Sequence, residues 1–586
     1  MFDLFLDTSI FNVLATLFEK PVPDFGLEDL VLLGLGDFMP VYAVDYCAFN
    51  DGAVVGLFNN AILFDYSNTV ATAHYTSLNV AWPLTLPLLH PFSGYPEFTV
   101  SSIFLLFPDI FLAYFFLAFL LFVLFLKTSF RSFGFTDFVI FVSVLCIGFV
   151  FLLVLAQDEF FWGVIQWSFL EDKIIGGIFH YVMDSFILNP SILYLKLFVL
   201  FVVGLILLLS LNYFNFEKFQ VFEYPFFVLF VLQGLFILLA ANDFFIVYLS
   251  LEIQGFCFYI LAALKKYSNL SIEAGLKYFI LGSFSSSVFL FGISIIYGFA
   301  GTLNFSELSV LLRFENYFCF TDDFTIINFS QSGNWTLSSL WNSSEFIFGI
   351  TIGLIFVSVG ILFKLALFPF HFWIADVYQG SPMIVTLFFS TVAKISFWLL
   401  FVKVYFNVFV YFDFFIFPAI NFFSAVSIIF GIIVSLYQEK IKRLLALSAI
   451  SHMGFLTISV GSFDGFAASL FYFFTYILIL INMFAVLLTF RKVINFTKIR
   501  NLVEFSILVK SHPMVAYIFM FSLLSAAGIP PLAGFFGKFF VFMAMYKQYS
   551  LQFFLIITLL STVSSIFYLR LFGLCFLTLN KIWSLS

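Results

Sequence analysis

The chain has 586 residues, of which 63% are hydrophobic and only 10% are charged, and its formal net charge is −8. A water-soluble domain carries roughly 25% charged residues, so this composition excludes a soluble protein. Phenylalanine alone supplies 98 residues, a bias that indicates an AT-rich, organellar gene. The five cysteines are dispersed with no CxxC spacing, which argues against a zinc site and a disulfide framework. No nucleic-acid partner is expected.

The first hundred residues contain one basic residue, Lys20, and eleven acidic ones. This balance is the opposite of an arginine-rich mitochondrial transit peptide. A mitochondrial location would therefore mean that the protein is made inside the organelle. The apolar stretches of residues 1–100 are too short to span a bilayer, so we expect an acidic extension packed on the outer face.

Thirteen apolar windows after this segment have the length of about 20 residues that a spanning helix needs. They centre on residues 103–126, 136–156, 192–212, 221–241, 243–264, 274–298, 346–368, 385–405, 415–437, 443–461, 467–490, 512–546 (broken) and 552–575. Basic residues follow the odd-numbered windows and acidic residues follow the even-numbered ones. By the positive-inside rule, odd-numbered exits face the matrix or cytoplasm. The pattern predicts an all-α polytopic membrane protein.

Four ionisable residues lie deep within apolar windows, where charge is costly and usually functional. They are Glu252, Lys364, Lys394 and Lys538. A structural ion pair, or a lysine that snorkels from a helix end, is the alternative for each one taken singly.

Three further residues are weaker candidates. Lys277 lies one turn inside its helix, and His452 could relay protons or could pack between helices while bonded to backbone. Lys403 lies nearer a helix end and is interpreted as a snorkelling lysine.

Helix breakers accompany two of the four deep residues. Lys364 precedes Pro369 by five residues, and Lys538 follows the Gly528-Ile529-Pro530-Pro531 sequence. Proline removes a backbone donor, and freed carbonyls at membrane depth occur only where they line protein or a wet cavity. Paired interruptions in two halves are typical of inverted-repeat transporters.

Several stretches resemble the antiporter-like subunit called chain 2, or subunit N, of respiratory complex I. They are residues 242–263, 271–302, 363–394, 442–455 and 523–542, and Pro108-Asp109-Ile110 resembles the Pro-Glu-Ile opening of that family. The resemblance covers residues 100–575.

The resemblance implies fourteen helices with two inverted five-helix repeats and discontinuous helices, against the thirteen counted. The expected organisation is an N-terminal extension (1–100), three helices (101–215), a first repeat (216–405) with a loop insertion (303–345), a second repeat (406–575) and a C-terminal tail (576–586). It also implies a proton-translocation axis formed by Glu252, Lys364, Lys394 and Lys538, with Lys277 and His452 as secondary relay candidates.

The same resemblance implies that this chain binds no cofactor. NADH, FMN, iron–sulfur clusters and ubiquinone would belong to other subunits. The implied partners are the neighbouring antiporter-like subunit 4, small membrane subunits, accessory subunits at the N-terminal extension and lipids, and the implied location is the mitochondrial inner membrane.

Other functions stay open at this point. Complex I subunit 4 or 5, or a subunit of a multisubunit cation/proton antiporter, would have a similar sequence, although the DVYQG motif at 376–380 favours chain 2. A haem-binding or quinone-binding subunit is a different class, but His452 alone among the histidines lies deep in an apolar window, whereas bis-histidine ligation needs two. A membrane anchor that conducts nothing is the third possibility.

Overall fold

The computed structural model describes most of the chain after the N-terminal extension. The described residues are 100–127, 135–170, 179–181, 185–217, 221–319, 338–409, 413–462, 465–489, 501–502, 505, 509 and 512–576. Residues 1–99 of the predicted extension (1–100), residues 320–337 of the predicted loop insertion (303–345) and residues 577–586 of the predicted tail (576–586) lie outside them. Contacts divide the chain into two units: one comprises 1–18, 107–159 and 178–586, and the other comprises 19–106 and 160–177. In the second unit, only parts of two helices are described.

The described residues form sixteen α-helices and one short hairpin. In chain order these are α1 (Val100–Lys127), α2 (Phe135–Leu170), β1 (Phe179–Tyr181), β2 (Phe186–Leu188), α3 (Pro190–Glu217), α4 (Glu223–Ala240), α5 (Phe244–Ala262), α6 (Asn269–Ala300), α7 (Phe305–Cys319), α8 (Ser338–Leu365), α9 (Phe372–Gly380), α10 (Met383–Val402), α11 (Asp413–Leu436), α12 (Ile441–Val460), α13 (Gly465–Thr489), α14 (Pro513–Ala527), α15 (Ala533–Gln548) and α16 (Leu551–Phe576). Strands β1 and β2 are antiparallel, with Phe179 opposite Leu188.

Twelve of the described helices are long and apolar enough to cross a membrane, and the shorter α14 is apolar as well. Helices α14 and α15 together occupy the window that was predicted to be broken. Every predicted window therefore coincides with a helix or a helix pair, and the all-α polytopic class is confirmed. The inverted relation between the two repeats stays a prediction.

Helix α10 lies at the centre of the bundle, since every one of its residues is buried. It packs against α3, α4, α8, α12 and α13. By contrast, the outermost helices expose large apolar side chains such as Phe125 (77% exposed). In a membrane protein such side chains face lipid, because hydrocarbon favours them as much as the core does.

The region predicted as a loop insertion contains regular structure. Helix α7 covers Phe305–Cys319, and α8 begins at Ser338. The start of α7 is held to the turn between α4 and α5, because Asn242 Nδ2 donates a hydrogen bond of 2.9 Å to Asn304 Oδ1. The Phe305 amide also donates to the Asn242 carbonyl at 2.8 Å. These hydrogen bonds connect the turn between α4 and α5 to the start of α7.

Two helices are discontinuous, as the sequence predicts. Between α8 and α9 the chain passes through Ala366 with a φ of +61°, and the Trp373 indole nitrogen donates to the Phe363 carbonyl at 2.9 Å. Between α14 and α15, Gly528 has a φ of +87°, a left-handed conformation that glycine adopts without strain. Its amide closes α14 by donating to the Leu524 carbonyl at 3.1 Å.

Candidate functional site

Glu252 on α5 and Lys364 on α8 line the same small cavity. The cavity of about 10 Å³ is bordered by Tyr248, Leu251, Glu252, Ser285, Ser286, Phe289, Gly360, Ile361, Lys364 and Leu400. Its volume approaches the minimum of roughly 10–15 Å³ that a single water molecule needs. Lys364 is 4% exposed, and its ammonium lies 5.9 Å from the centre of the Phe397 ring, within the range of a cation–π contact.

Lys394 lies in the middle of α10 and is 1% exposed. Its Nζ donates a 2.5 Å hydrogen bond to the carbonyl oxygen of Leu365. Leu365 is the last residue of α8 and directly follows Lys364. The helix break thus presents to Lys394 a carbonyl that the interrupted helix no longer uses. The end of α8 therefore involves both lysines: Lys364 lies in its last turn, and Lys394 of α10 bonds to its last carbonyl.

Lys538 on α15 is in a corresponding position at the second break. It is 6% exposed, and its Nζ donates to the carbonyl of Ala527, the last residue of α14, at 2.9 Å. Each discontinuous helix consequently has a buried lysine amine on the last carbonyl before its break. Such carbonyls carry partial negative charge, so they can hold an ammonium where no carboxylate is present.

His452 on α12 bridges two tyrosines near Lys538. Its Nδ1 lies 2.5 Å from the Tyr472 hydroxyl and its Nε2 lies 2.8 Å from the Tyr568 hydroxyl. All three rings and Lys538 border one cavity of about 10 Å³. A neutral imidazole donates from one nitrogen and accepts at the other, and a phenol hydroxyl can do both. The cluster is therefore a continuous chain of proton donors and acceptors.

Lys277 lies apart from these groups. Its side chain is 44% exposed, and its Nζ pairs with Glu273 at 2.7 Å and with Asp376 at 3.0 Å. Asp376 also pairs with Arg443 at 3.2 Å. The structure thus places Lys277 in an exposed ion-pair network between α6, α9 and α12, and exposed pairs of this kind contribute little to stability.

Sequence reasoning missed one buried charge and misread another. Lys196 on α3 is fully buried and pairs with Asp109 on α1 at 2.8 Å. Lys196 was passed over because it lies within two turns of the start of its helix. Lys403, interpreted as a snorkelling lysine, instead directs its amine to backbone carbonyls at the end of α4, including that of Ala241 at 2.9 Å.

Within the described part of the chain, no group of three or more histidine, cysteine or acidic side chains could hold a metal ion. What the site does contain is a series of proton-carrying groups: Lys394 and Lys538 donate to backbone carbonyls and His452 bonds to two tyrosines, while the half-buried Glu252 and the buried Lys364 share a cavity. Amines, imidazole, phenols and a carboxylate in such positions can pass protons, directly or through single water molecules.

Comparisons with known proteins identify the family of the chain. Residues 241–564 match the family described as NADH:quinone oxidoreductase/Mrp antiporter, TM. The NADH-quinone oxidoreductase subunit N of Pelagibacter ubique is 36% identical over 347 residues, which are 59% of this chain and 66% of that protein. The NADH-ubiquinone oxidoreductase chain 2 of Oenothera berteroana is 35% identical over 368 residues, covering 62% of this chain and 69% of that protein.

Solved structures confirm the fold. A chain of respiratory complex I from Thermus thermophilus superposes with a TM-score of 0.59 at 24% identity, covering 80% of this chain and 90% of that one. A chain of the Mrp complex from a Dietzia species gives a TM-score of 0.57 at 18% identity, covering 81% of this chain and 80% of that one. The resemblance to chain 2 and subunit N is confirmed by the named relatives, and the chain belongs to the NADH:quinone oxidoreductase/Mrp antiporter transmembrane family.

Proposed function

We propose that this chain is a proton-translocating subunit of the membrane arm of respiratory complex I. The observation that carries the proposal is the placement of the lysines at the two helix breaks: Lys394 and Lys538 each donate to the last carbonyl before a break. The axis would run from Glu252 through Lys364 and Lys394 to Lys538. His452 and its tyrosines, which border the same cavity as Lys538, would act as a secondary relay.

The chemistry needs only changes in proton affinity along this axis. Burial favours the neutral amine of a lysine, whereas a nearby carboxylate favours the ammonium. The Glu252 carboxylate beside their shared cavity favours the ammonium form of Lys364, and movement of Glu252 away from the cavity would favour proton release. The released proton can pass to Lys394, whose amine bonds to the carbonyl of Leu365, the residue next to Lys364. Electron transfer from NADH to ubiquinone in other subunits would drive the cycle.

The cofactors, partners and location follow the same proposal. NADH, FMN, iron–sulfur clusters and ubiquinone would bind to other subunits, and this chain would bind none of them. Its partners would be antiporter-like subunit 4 and the small membrane subunits, with accessory subunits at the N-terminal extension. Its location would be the mitochondrial inner membrane, since relatives named chain 2 come from plants and the composition indicates an organellar gene.

A subunit of a multisubunit cation/proton antiporter is the second candidate. The matching family includes both kinds of complex, and the Mrp chain has the same fold. The relatives with 36% and 35% identity, however, are named as subunits of NADH-quinone and NADH-ubiquinone oxidoreductases. This naming favours complex I.

A native gel of gently solubilised membranes separates the two candidates. The gel is stained for NADH oxidation, and mass spectrometry identifies the proteins of each band. Complex I membership predicts this chain in a very large band that oxidises NADH. Its presence only in a smaller assembly without NADH oxidation would contradict complex I membership and favour the antiporter.

Conduction is tested separately from membership. Lys364→Met keeps a side chain of similar length but cannot carry a proton, so proton pumping by the reconstituted complex should fall. Lys266→Met, at an exposed position after α5, is the matched control. Undiminished pumping by Lys364→Met would support a membrane anchor that conducts nothing.

A further inference from the structure

A second group of charges, of which Lys196 is fully buried and Lys403 is half-buried, lies outside the proposed axis, between α1, α3, α4 and the end of α10. Its deepest part is the pair formed by Lys196 and Asp109, in which the amine contacts both carboxylate oxygens at 2.8 Å. Lys196 is 0% exposed and Asp109 is 14% exposed. The Lys196 ammonium also lies 5.1 Å from the centre of the Phe236 ring on α4. Two charges are thus held within apolar surroundings.

Lys403 completes the group. Its Nζ donates to three backbone carbonyls at the end of α4, those of Leu238, Leu239 and Ala241. A protonated lysine amine has exactly three N–H donors, whereas the neutral amine has two. The three acceptors therefore match the charged form, and loss of the proton would release one carbonyl.

The backbone conformation at Lys403 is also unusual. Residues Lys403–Val408 continue α10 as a π-helix, a rare conformation that is frequent at functional sites. A cavity of about 10 Å³ adjoins the amine. It is bordered by Ile192, Leu195, Leu239, Leu399, Val402, Lys403, Phe466 and Leu470. All of these residues except Lys403 are apolar, so the cavity is dry in this conformation, because a buried water molecule needs two or more polar partners.

Charge balance makes Lys403 the exchangeable member of the group. Lys196 is close enough to Lys403 for their charges to repel each other, and Asp109 neutralises only one of the two. If both lysines are protonated, the group carries one excess positive charge, which is costly in apolar surroundings. Lys196 is neutralised by the carboxylate, whereas the Lys403 amine bonds to uncharged backbone carbonyls.

The group lies between Lys394 and one membrane surface. Lys403 follows Lys394 by nine residues on the same helical rod, which corresponds to about 13 Å along the axis. The end of α4, to which Lys403 bonds, is followed by Asp243. By the distribution of basic residues among the loops, this is the outer side of the membrane.

From these contacts we infer that Lys403 is a proton-releasing site on the outer side, loaded from Lys394, and that the Lys196–Asp109 pair sets its charge. Lys403 would take up a proton when water enters the adjoining apolar cavity and would release it outward under repulsion from Lys196. The inference rests on the proposed function, because it adds an exit to the axis that includes Lys394.

Two substitutions distinguish proton exchange from a structural bond to the end of α4. Lys403→Arg keeps donors for the carbonyls but holds its proton permanently, and Lys403→Gln keeps two donors but carries no exchangeable charge. The complex is purified and reconstituted into vesicles, and protons pumped per NADH oxidised are measured together with subunit content. Lys266→Arg is the matched control, and Lys394→Met is measured in parallel.

We expect both Lys403 variants that assemble to pump at the reduced ratio of Lys394→Met, while Lys266→Arg pumps normally. If Lys394→Met lowers the ratio but an assembled Lys403 variant keeps the full ratio, the inference is overturned and the proposed function stands. If Lys394→Met also keeps the full ratio, the proposed function fails and the inference fails with it. Should arginine prevent assembly, the glutamine variant decides.

Discussion

Helices α6 and α8 approach each other at Gly292, and we predict that Gly292→Ala forces them apart. A β-carbon at Gly292 would lie 2.7 Å from the Val357 amide nitrogen and 2.8 Å from the Gly353 carbonyl oxygen. Ordinary contacts begin at 3.4 Å, so one backbone must retreat by about 0.7 Å. Both obstacles are backbone atoms, and no side-chain rotation can relieve the clash. Small residues at such crossings are the usual means of close helix packing in membranes.

The cost of this substitution follows from overpacking. Inserting a methyl group into a well-packed contact costs typically about 1–3 kcal/mol, and the better helix propensity of alanine returns about 0.5–1 kcal/mol. We therefore expect a net loss of about 1–2 kcal/mol in the free energy of unfolding. The same two helices supply Phe289 and Gly360 to the cavity beside Glu252 and Lys364, so proton pumping should fall as well.

Gly298→Ala on the same helix is the matched control, because nothing lies within 4 Å of its β-carbon position. It should be neutral or stabilise by about 0.5–1 kcal/mol and leave pumping unchanged. The assay is thermal unfolding of the purified complex, combined with proton pumping in vesicles. Identical melting and pumping for the two alanine variants would refute the claim that the close approach at Gly292 shapes the cavity.

Three further substitutions test the remaining groups. Gly528→Ala should destabilise by about 1–2 kcal/mol, the penalty for a left-handed alanine, and should displace Lys538, whose Cδ would lie 2.9 Å from the new β-carbon; thermal unfolding and pumping check both effects. His452→Phe should cost about 1–3 kcal/mol because the Tyr472 hydroxyl loses its imidazole partner, whereas the Tyr568 hydroxyl keeps its hydrogen bond with Ser448; it should also slow pumping, and unchanged pumping would remove His452 from the relay. Lys277→Gln should leave stability and pumping close to those of the unmodified complex, because exposed ion pairs contribute little, and a clear loss of pumping would support Lys277 as a secondary relay.

The sequence was sufficient to locate the helices, because a run of about 20 apolar residues has few alternatives to a spanning helix. The two helix breaks could also be predicted, since Pro369 and Gly528 interrupt otherwise continuous apolar windows. The burial of Lys364, Lys394 and Lys538 followed from their depth in such windows. All of these features depend on local sequence alone.

Features that depend on contacts between distant helices could not be predicted. Lys196 and Asp109 are 87 residues apart, and only the packing of α3 against α1 shows that they form a pair. The tyrosine partners of His452 come from α13 and α16, at separations of 20 and 116 residues. Lys403 was misread for the same reason, because the end of α4 that receives its amine lies more than 160 residues earlier in the chain.

The most direct test of the proton axis is the number of protons pumped per NADH oxidised by the reconstituted complex that carries Lys394→Met. Lys394 is 1% exposed, and its amine bonds to the carbonyl of Leu365, the residue next to Lys364. Methionine has a similar size but carries no proton, so it should interrupt the axis at its centre. We predict a fully assembled complex with a lower ratio than the unmodified complex and the Lys266→Met control. An assembled complex with an unchanged ratio would contradict it.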